Sequence, residues 1–374
     1  MAGIYLHIPF CKQACHYCNF HFSTSLQRKG EMVAAIIEEI AQQKNYLAGE
    51  TIETIYFGGG TPSLLSEAEL DLIFSKIYEI HSLHPNAEIT LEANPDDLTK
   101  EKLAILAKSP VNRLSIGIQS FFEEDLRFMN RAHNAEEALM SIQNAQQAGF
   151  SNLTIDLIYG SPTTSMERWE KNLQLIFDQK IPHISCYCLT VEPKTALDHL
   201  VKTGKAEPVD EEKAALQFEV MLKAMQLQGY DHYEISNFAL PGCYSRHNSS
   251  YWLGKKYLGI GPSAHSFNGV SRQWNIANNA KYMAALAAGN LSFEKEILTP
   301  AQQYDEYVMT SLRTIWGCDL RKVETFGEDF KIHFLKNVAP FIQQETVVEK
   351  EGIYYLTPKG KLLADKIAME LFSL

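Results

Sequence analysis

No run of this 374-residue sequence approaches the ~20 consecutive apolar residues that a membrane-spanning helix needs. That excludes a helical membrane protein, though not a membrane-associated partner. Blocks of lysine or arginine are also missing. The balance is 34 basic against 45 acidic residues, a net charge of −11, which argues against general binding to nucleic acid. Cysteine is scarce and odd in number, seven in all. No secretory leader is evident before the strand-like run from Gly3, so a disulfide framework is not expected. The expected setting is a reducing cytoplasm, where thiolates are kept for metals. Low-complexity tracts and a disordered tail are absent too. Hydrophobic residues make up 45 %, enough for a sizeable core. The length allows one barrel-sized α/β domain and a smaller appendage.

Three of the seven cysteines fall within eight residues, Cys11, Cys15 and Cys18, spaced C-x3-C-x2-C. They directly follow a strand-like run, Gly3–Phe10. Three thiolates on one tight loop can hold three irons of a [4Fe–4S] cluster and leave the fourth iron open. Structural clusters normally take four cysteines, and an open position signals chemistry, as it does in zinc sites. A partial zinc site completed by His7 or His16 is the other reading. Cys186 and Cys188 alternate in an apolar run and read as small core residues; Cys243 and Cys318 are scattered through the rest.

Short β-branched runs alternate with helical patterns. Strands are expected at Gly3–Phe10, Ile52–Phe57, Glu88–Ala93, Arg113–Gln119, Leu153–Tyr159 and His183–Leu189. Apolar spacings of three and four predict helices through Met32, Ile36, Ile37 and Ile40, and through Leu70, Ile73 and Ile77. Ser66 with Glu69 forms a capping box, Thr99 marks another helix start, and Gly149 ends the helix Ala135–Ala148. Six strand–helix units predict an α/β fold, a partial (β/α)6 barrel over residues 1–232. The polar oddities fall at strand C-terminal ends, where barrel enzymes keep their sites. Residues 233–298 read as a barrel extension, with a strand at His232–Phe238 and an ordered loop over Pro241–Gly269. Residues 299–374 read as helix, helix, a hairpin turning at Glu351-Gly352, and a helix Pro358–Phe372. That order is winged-helix-like; its mixed charge favours a cap or a protein-docking role over DNA.

Gly58-Gly59-Gly60-Thr61-Pro62 ends the second strand. A glycine triplet lets backbone approach a ligand, and a tight turn explains it equally. Beside an open-iron cluster it suggests reductive cleavage of S-adenosylmethionine (SAM), with the open iron and the glycine strand end sharing the methionine moiety. Here the sequence resembles the radical SAM superfamily, and within it the oxygen-independent coproporphyrinogen III oxidase family, which includes the oxidase HemN and the HemW-type haem chaperones. Tyr5 to Cys11 is similar to Y-x-H-I-P-(F/W)-C, and Gly58 to Pro62 to GGGTP. Glu92-Ala93-Asn94-Pro95 is similar to E-x-N-P, and Arg113 to Phe121 to R-x-S-x-G-x-Q-S-F. Asn130-Arg131 and Asp156 to Gly160 follow at the family's spacing.

The resemblance implies Cys11, Cys15 and Cys18 as cluster ligands. It puts Tyr5 near the SAM sulfonium and Gly59, Gly60 and Thr61 on the methionine moiety. Glu92, Gln119, Arg131 and Asp156 are implied at the amino-acid end and the ribose. A carboxylate suits ribose hydroxyls and an arginine suits a carboxylate; taken singly, each such residue could be an ordinary strand-end salt bridge. Two departures point away from the oxidase. Its fourth cysteine, two residues past the third, is Phe20 here, and its N-terminal extension is missing. Arg246-His247-Asn248-Ser249-Ser250-Tyr251-Trp252 looks like the chaperones' H-N-S-F-Y signature, with Ser250 in place of Phe. His247 is then a candidate axial haem ligand, and His265 an alternative; a purely structural His247 is the other reading. The implied function is delivery of haem to an acceptor protein, with an electron donor as a further partner. Oxidation of coproporphyrinogen is the alternative, and whether the chain acts as an enzyme beyond cleaving SAM is left open.

Overall fold

The computed structural model describes residues 2–373. Six parallel strands form its centre: β1 (Ala2–Ile8), β2 (Ile52–Gly59), β3 (Leu83–Ala93), β4 (Arg113–Gln119), β5 (Leu153–Tyr159) and β6 (His183–Cys188). Each pairs with the next in sequence, the mark of repeated right-handed βαβ units. Ile4, Leu6, Ile55, Leu91, Leu114, Ile116, Ile155 and Ile184 are fully or almost fully buried. They lie under helices such as Lys29–Gln42 and Glu67–Ile80, whose inward faces carry Met32, Ile36 and Ile40, and Leu70, Ile73 and Ile77. The Ser66 and Glu69 capping box forms with both arms, and Thr99 caps Lys100–Lys108. Gly149 has φ +96° just past Ala135–Gln147.

The sheet grows past both ends of the arc. Beyond β6 the run His232–Phe238 is two strands rather than one: β7 (Asp231–Glu234) and β8 (Asn237–Ala239) pair antiparallel, and β8 pairs antiparallel with β6. Beyond β1 lie β9 (Tyr257–Ile260), parallel to β1, then β10 (His265–Phe267), β11 (Ser271–Asn275) and β12 (Phe293–Ile297), all antiparallel. The sheet has twelve strands, with β12 and β7 at its edges. The segment Pro241–Gly269, expected as loop, holds a helix at Arg246–Trp252 as well as β9 and β10.

A second core gathers Tyr304, Val308, Leu312, Phe334, Val338 and Ile367. It joins helices Pro300–Leu312 and Glu328–Gln343 to a three-stranded sheet of β13 (Cys318–Asp319), β14 (Val347–Lys350) and β15 (Ile353–Leu356). The hairpin turns at Glu351 and Gly352, both with positive φ. The expected last helix is two, Pro358–Lys361 and Ala364–Leu371. This unit meets the β7 edge: Lys361 Nζ lies 2.8 Å from His232 Nδ1, and Ile315 N–H donates to the Tyr233 carbonyl at 3.0 Å. Among the described residues no helix is long and apolar enough to cross a membrane.

Candidate functional site

The segment after β1 is clamped at its base. Ser23 N–H donates to the Pro9 carbonyl at 2.9 Å and Cys11 N–H to the Ser23 carbonyl at 3.0 Å. The thiol loop between them is stapled to the segment after β4. His16 N–H donates to the Met129 carbonyl at 3.1 Å, and His16 Nδ1 lies 2.9 Å from the Phe128 carbonyl. Gln13 Nε2 donates to the Asn130 carbonyl at 3.0 Å, and Asn130 Nδ2 to the Ala14 carbonyl at 2.7 Å. Asn130 takes φ +55°, a left-handed conformation that asparagine tolerates. His7, one candidate fourth ligand of the zinc reading, has partners at both ring nitrogens: Tyr5 OH at 3.3 Å and the His21 carbonyl at 2.8 Å.

Arg131 sits at the centre of this region. Its Nη1 donates to Cys15 Sγ at 3.2 Å and to Tyr17 OH at 3.3 Å; its Nη2 donates to Asn94 Oδ1 and the Gly117 carbonyl, both at 2.8 Å. Its Nε is buried without a partner among the described residues. Burial pushes the Cys11 thiol up to about 11 despite the Thr61 hydroxyl, and it also raises Cys18. Three half-buried thiols on one loop, one of them against a guanidinium, suit coordination to iron, which deprotonates a thiol outright. Gly117 keeps the crowding possible: a Cβ there would lie 2.9 Å from Gln119 Nε2 and 3.2 Å from Arg131 Nη2. Gln119 takes φ +65° as it leaves β4.

The glycine triplet is explained by what presses on it. A Cβ on Gly60 would lie 2.6 Å from the Ile8 and Phe10 carbonyl oxygens, and one on Gly59 2.5 Å from the His7 ring. One on Gly58 would lie 3.0 Å from the Tyr5 ring and 3.1 Å from Glu92 Oε1. Thr61 is buried and accepts from Asn94 Nδ2 at 3.3 Å. The structure therefore gathers Tyr5, Gly59, Gly60, Thr61, Glu92, Gln119, Arg131 and the three thiols at one end of the barrel. Asp156 lies deeper, in a lumen cavity of about 210 Å³ that Tyr5, Tyr56, Glu92 and Tyr187 also line. Tyr56 OH donates to Glu92 Oε1 at 2.7 Å. Burial, then the Asp156 charge, pushes the Glu92 carboxyl up to about 7; burial pushes Asp156 up to about 6. Tyr56, Tyr17 and Asn94 complete this set. Sequence reasoning missed their roles, because an aromatic or amide beside a motif carries no signal of its own.

His247 lines the far end of the same cavity. The helix Arg246–Trp252 closes the opposite end of the barrel, with its first N–H groups, those of Arg246 and His247, donating to Glu88 at 3.1 and 3.0 Å. Only 2 % of His247 is exposed. Its Nδ1 lies 2.7 Å from Thr54 Oγ1, its Nε2 lies 2.9 Å from Tyr251 OH, and its ring stacks on Tyr56 at 5.0 Å. Burial pushes the imidazole down to about 3. The expectation of a loop is thus corrected: the segment is helical, and both ring nitrogens have partners.

Residues 5–176 match the model of the radical SAM superfamily, and residues 298–363 that of the HemN C-terminal domain. The haem chaperone HemW of Bacillus subtilis (strain 168) is 32 % identical over 98 % of both chains. The chain belongs to the HemW family. The HemW of Lactococcus lactis subsp. lactis (strain IL1403) is 34 % identical over 97 % of this chain and 95 % of its own. The solved structure of coproporphyrinogen III oxidase (HemN) from Escherichia coli superimposes with a TM-score of 0.87, covering all of this HemW-like chain and 90 % of HemN. At 24 % identity that likeness carries the fold alone. Membership of the radical SAM superfamily implies a [4Fe–4S] cluster and SAM.

Proposed function

We propose that this chain is a haem chaperone that binds a [4Fe–4S] cluster through Cys11, Cys15 and Cys18, and SAM against the neighbouring strand ends. The single observation carrying the reading is the clamped thiol loop with the Arg131 guanidinium on the Cys15 sulfur, in a chain of the HemW family. When bound, the cluster supplies one electron for reductive cleavage of SAM. The protein's part is to bind and orient. Tyr5 flanks the sulfonium position, Gly59, Gly60 and Thr61 give close backbone approach, and Glu92, Gln119, Arg131 and Asp156 hold the amino-acid end and the ribose. Haem is taken up and passed to an acceptor protein, and an electron donor serves the cluster. The lumen cavity of about 210 Å³ supports this over the oxidase. Pockets for drug-sized ligands run from about 300 to 1,000 Å³, and a porphyrinogen ring is no smaller than such ligands.

The test is anaerobic reconstitution followed by haem titration. A reduced cluster whose electron paramagnetic resonance changes on adding SAM, and a Soret band that survives gel filtration, are the expected results. A reconstituted centre indifferent to SAM would remove the cofactor reading. Formation of protoporphyrinogen from coproporphyrinogen III would replace the chaperone with the oxidase.

A further inference from the structure

We propose that Tyr56 is a positioning residue for SAM: its hydroxyl fixes the carboxyl of Glu92 in the orientation that receives the cofactor, and the space left at Gly58 lets the two meet. The proposal rests on the cofactor reading above and deepens it. The argument starts from strand register. Tyr56 of β2 is paired with Tyr5 of β1 on one side and with Thr90 of β3 on the other. Residues two apart on a strand share a face, so Gly58 and Glu92 are the next positions on the lumen side of β2 and β3. Tyr56 reaches diagonally past Gly58, and its OH donates to Glu92 Oε1 at 2.7 Å. No other side chain donates to Glu92 among the described residues.

The contact needs an empty position between the two strands. Within the triplet, Gly59 takes φ +99°, and Gly60 presses on the Ile8 and Phe10 backbone. Gly58 has neither reason to be glycine. The three atoms nearest a Cβ there belong to the Tyr56 ring at 2.9 Å, the Tyr5 ring at 3.0 Å and Glu92 Oε1 at 3.1 Å. A side chain at 58 would therefore displace the partners of the Tyr56–Glu92 bond before it met any backbone.

The ring that carries the hydroxyl is held on both sides. It stacks on His247 at 5.0 Å and 23°, and on Tyr5 at 6.2 Å and 24°. Burial keeps the phenol well above its ordinary range, so it stays a donor. The receiving group is thus set from behind. A free carboxyl can turn about its last bond, which is a soft torsion. One tied to a fixed donor presents its second oxygen in one direction, and a binding group prepared in this way loses less freedom when its ligand arrives. Tyr56 acts through Glu92 and is assigned no contact with SAM of its own.

The test is a pair of substitutions in the full-length protein, with the cluster reconstituted anaerobically. Tyr56→Phe keeps the ring and removes the hydroxyl. Glu92→Asp keeps a carboxyl and draws it back from Tyr56. SAM affinity is read by equilibrium dialysis and from the paramagnetic resonance of the reduced cluster; iron content and urea midpoints check folding. We expect Tyr56→Phe to weaken SAM binding about tenfold, as for the loss of a hydrogen bond to a carboxylate, at wild-type iron content. The same substitution made in the Glu92→Asp background should have no further effect. A tyrosine that only fills space would give equal losses in both backgrounds, and that additivity would overturn the assignment. Wild-type SAM affinity in Tyr56→Phe would overturn it too, and decides alone if Glu92→Asp binds no SAM. Those results leave the cofactor reading standing; a wild-type protein that binds no SAM would overturn both.

Discussion

The two ends of this barrel carry similar numbers of motif-like polar residues and use them in opposite ways. At the floor most of the groups bond one another. Thr54, His247 and Tyr251 form one chain of contacts. His183 Nε2 lies 2.7 Å from Tyr233 OH, and Asn248 reaches both Tyr233 and Glu234. Arg113, only 1 % exposed, is held by Asn152 and Thr154. At the rim the accounts stay open: three thiols, the Nε of Arg131, and two carboxyls pushed up by burial. Buried polar groups are normally satisfied, so a cluster of under-used ones marks a place prepared for something else. Residue type does not separate the two ends, and neither does complete hydrogen bonding, since Ser249 Oγ and Trp252 Nε1 of the floor helix are buried without a partner among the described residues; the rim differs in that its open groups are thiols, a cation and carboxyls.

The sharpest way to break the comparison is at the thiols. Cys15→Ser should abolish the iron–sulfur absorbance and all SAM cleavage, because a site with three protein ligands has none to spare. Its folding transition in the absence of iron should stay close to wild type. A mutant that still takes up four irons would show that the ligand set is wrong. Next in size is Gly60→Ala. The new methyl meets backbone of Ile8 and Phe10 at 2.6–2.7 Å, which cannot rotate away, so about 1–3 kcal/mol of stability should be lost together with cluster retention. Gly58→Ala meets only the ends of the Tyr5, Tyr56 and Glu92 side chains. It should unfold near wild type while weakening SAM binding. Equal unfolding midpoints for the two variants would remove the backbone argument.

Much of the rim was legible in the sequence and little of the floor. Chemistry restricts the rim to particular residue types at strand ends, so Cys11, Cys15, Cys18 and the glycine triplet stand out from spacing alone. The floor is made by partners far apart in sequence: Thr54 and His247 are separated by 193 residues. Its helix also lacks a strong start signal. Ser245 caps it through the Asn248 N–H, but no Glu or Gln stands at the third position to complete a capping box. A run rich in glycine, asparagine and aromatics therefore reads as loop. The β7–β8 hairpin escaped for a related reason, since Ile235-Ser236 holds none of the residues that announce a tight turn. The helix break after Lys361 follows a glycine, Gly360, which the expectation of one continuous helix passed over.

A buried carboxylate behind the rim gives a pH test. Glu39, 1 % exposed, accepts from Gly261 N–H at 2.8 Å, Asn275 Nδ2 at 2.7 Å and Tyr282 OH at 2.6 Å. It thereby ties the Gly261 turn, which presses on His7, to the outer helix. Burial pushes its carboxyl from 4.5 up to about 7. Between those values the unfolded chain has released a proton that the folded chain keeps, so stability falls as pH rises through this window, by at most about 3 kcal/mol. Above the window the loss is constant. Glu39→Gln should flatten this slope, read from urea midpoints at about pH 5 and about pH 8. A mutant with the wild-type slope would assign the titration to another group.

The smallest effect expected on the cluster is at the floor, and it separates the two ends most cleanly. Thr54→Val keeps the shape of the side chain and leaves His247 Nδ1 buried without a partner. Losing one such bond costs about 1–3 kcal/mol, and the imidazole has no route to water at its present burial. Because Thr54 belongs to the floor, away from the thiols, the loss should appear in the unfolding midpoint while iron content and the SAM-induced change in the cluster signal stay as in wild type. If Thr54→Val instead alters the cluster signal with little change in stability, the stacked rings from His247 through Tyr56 to Tyr5 couple the ends, and the floor is part of the site after all.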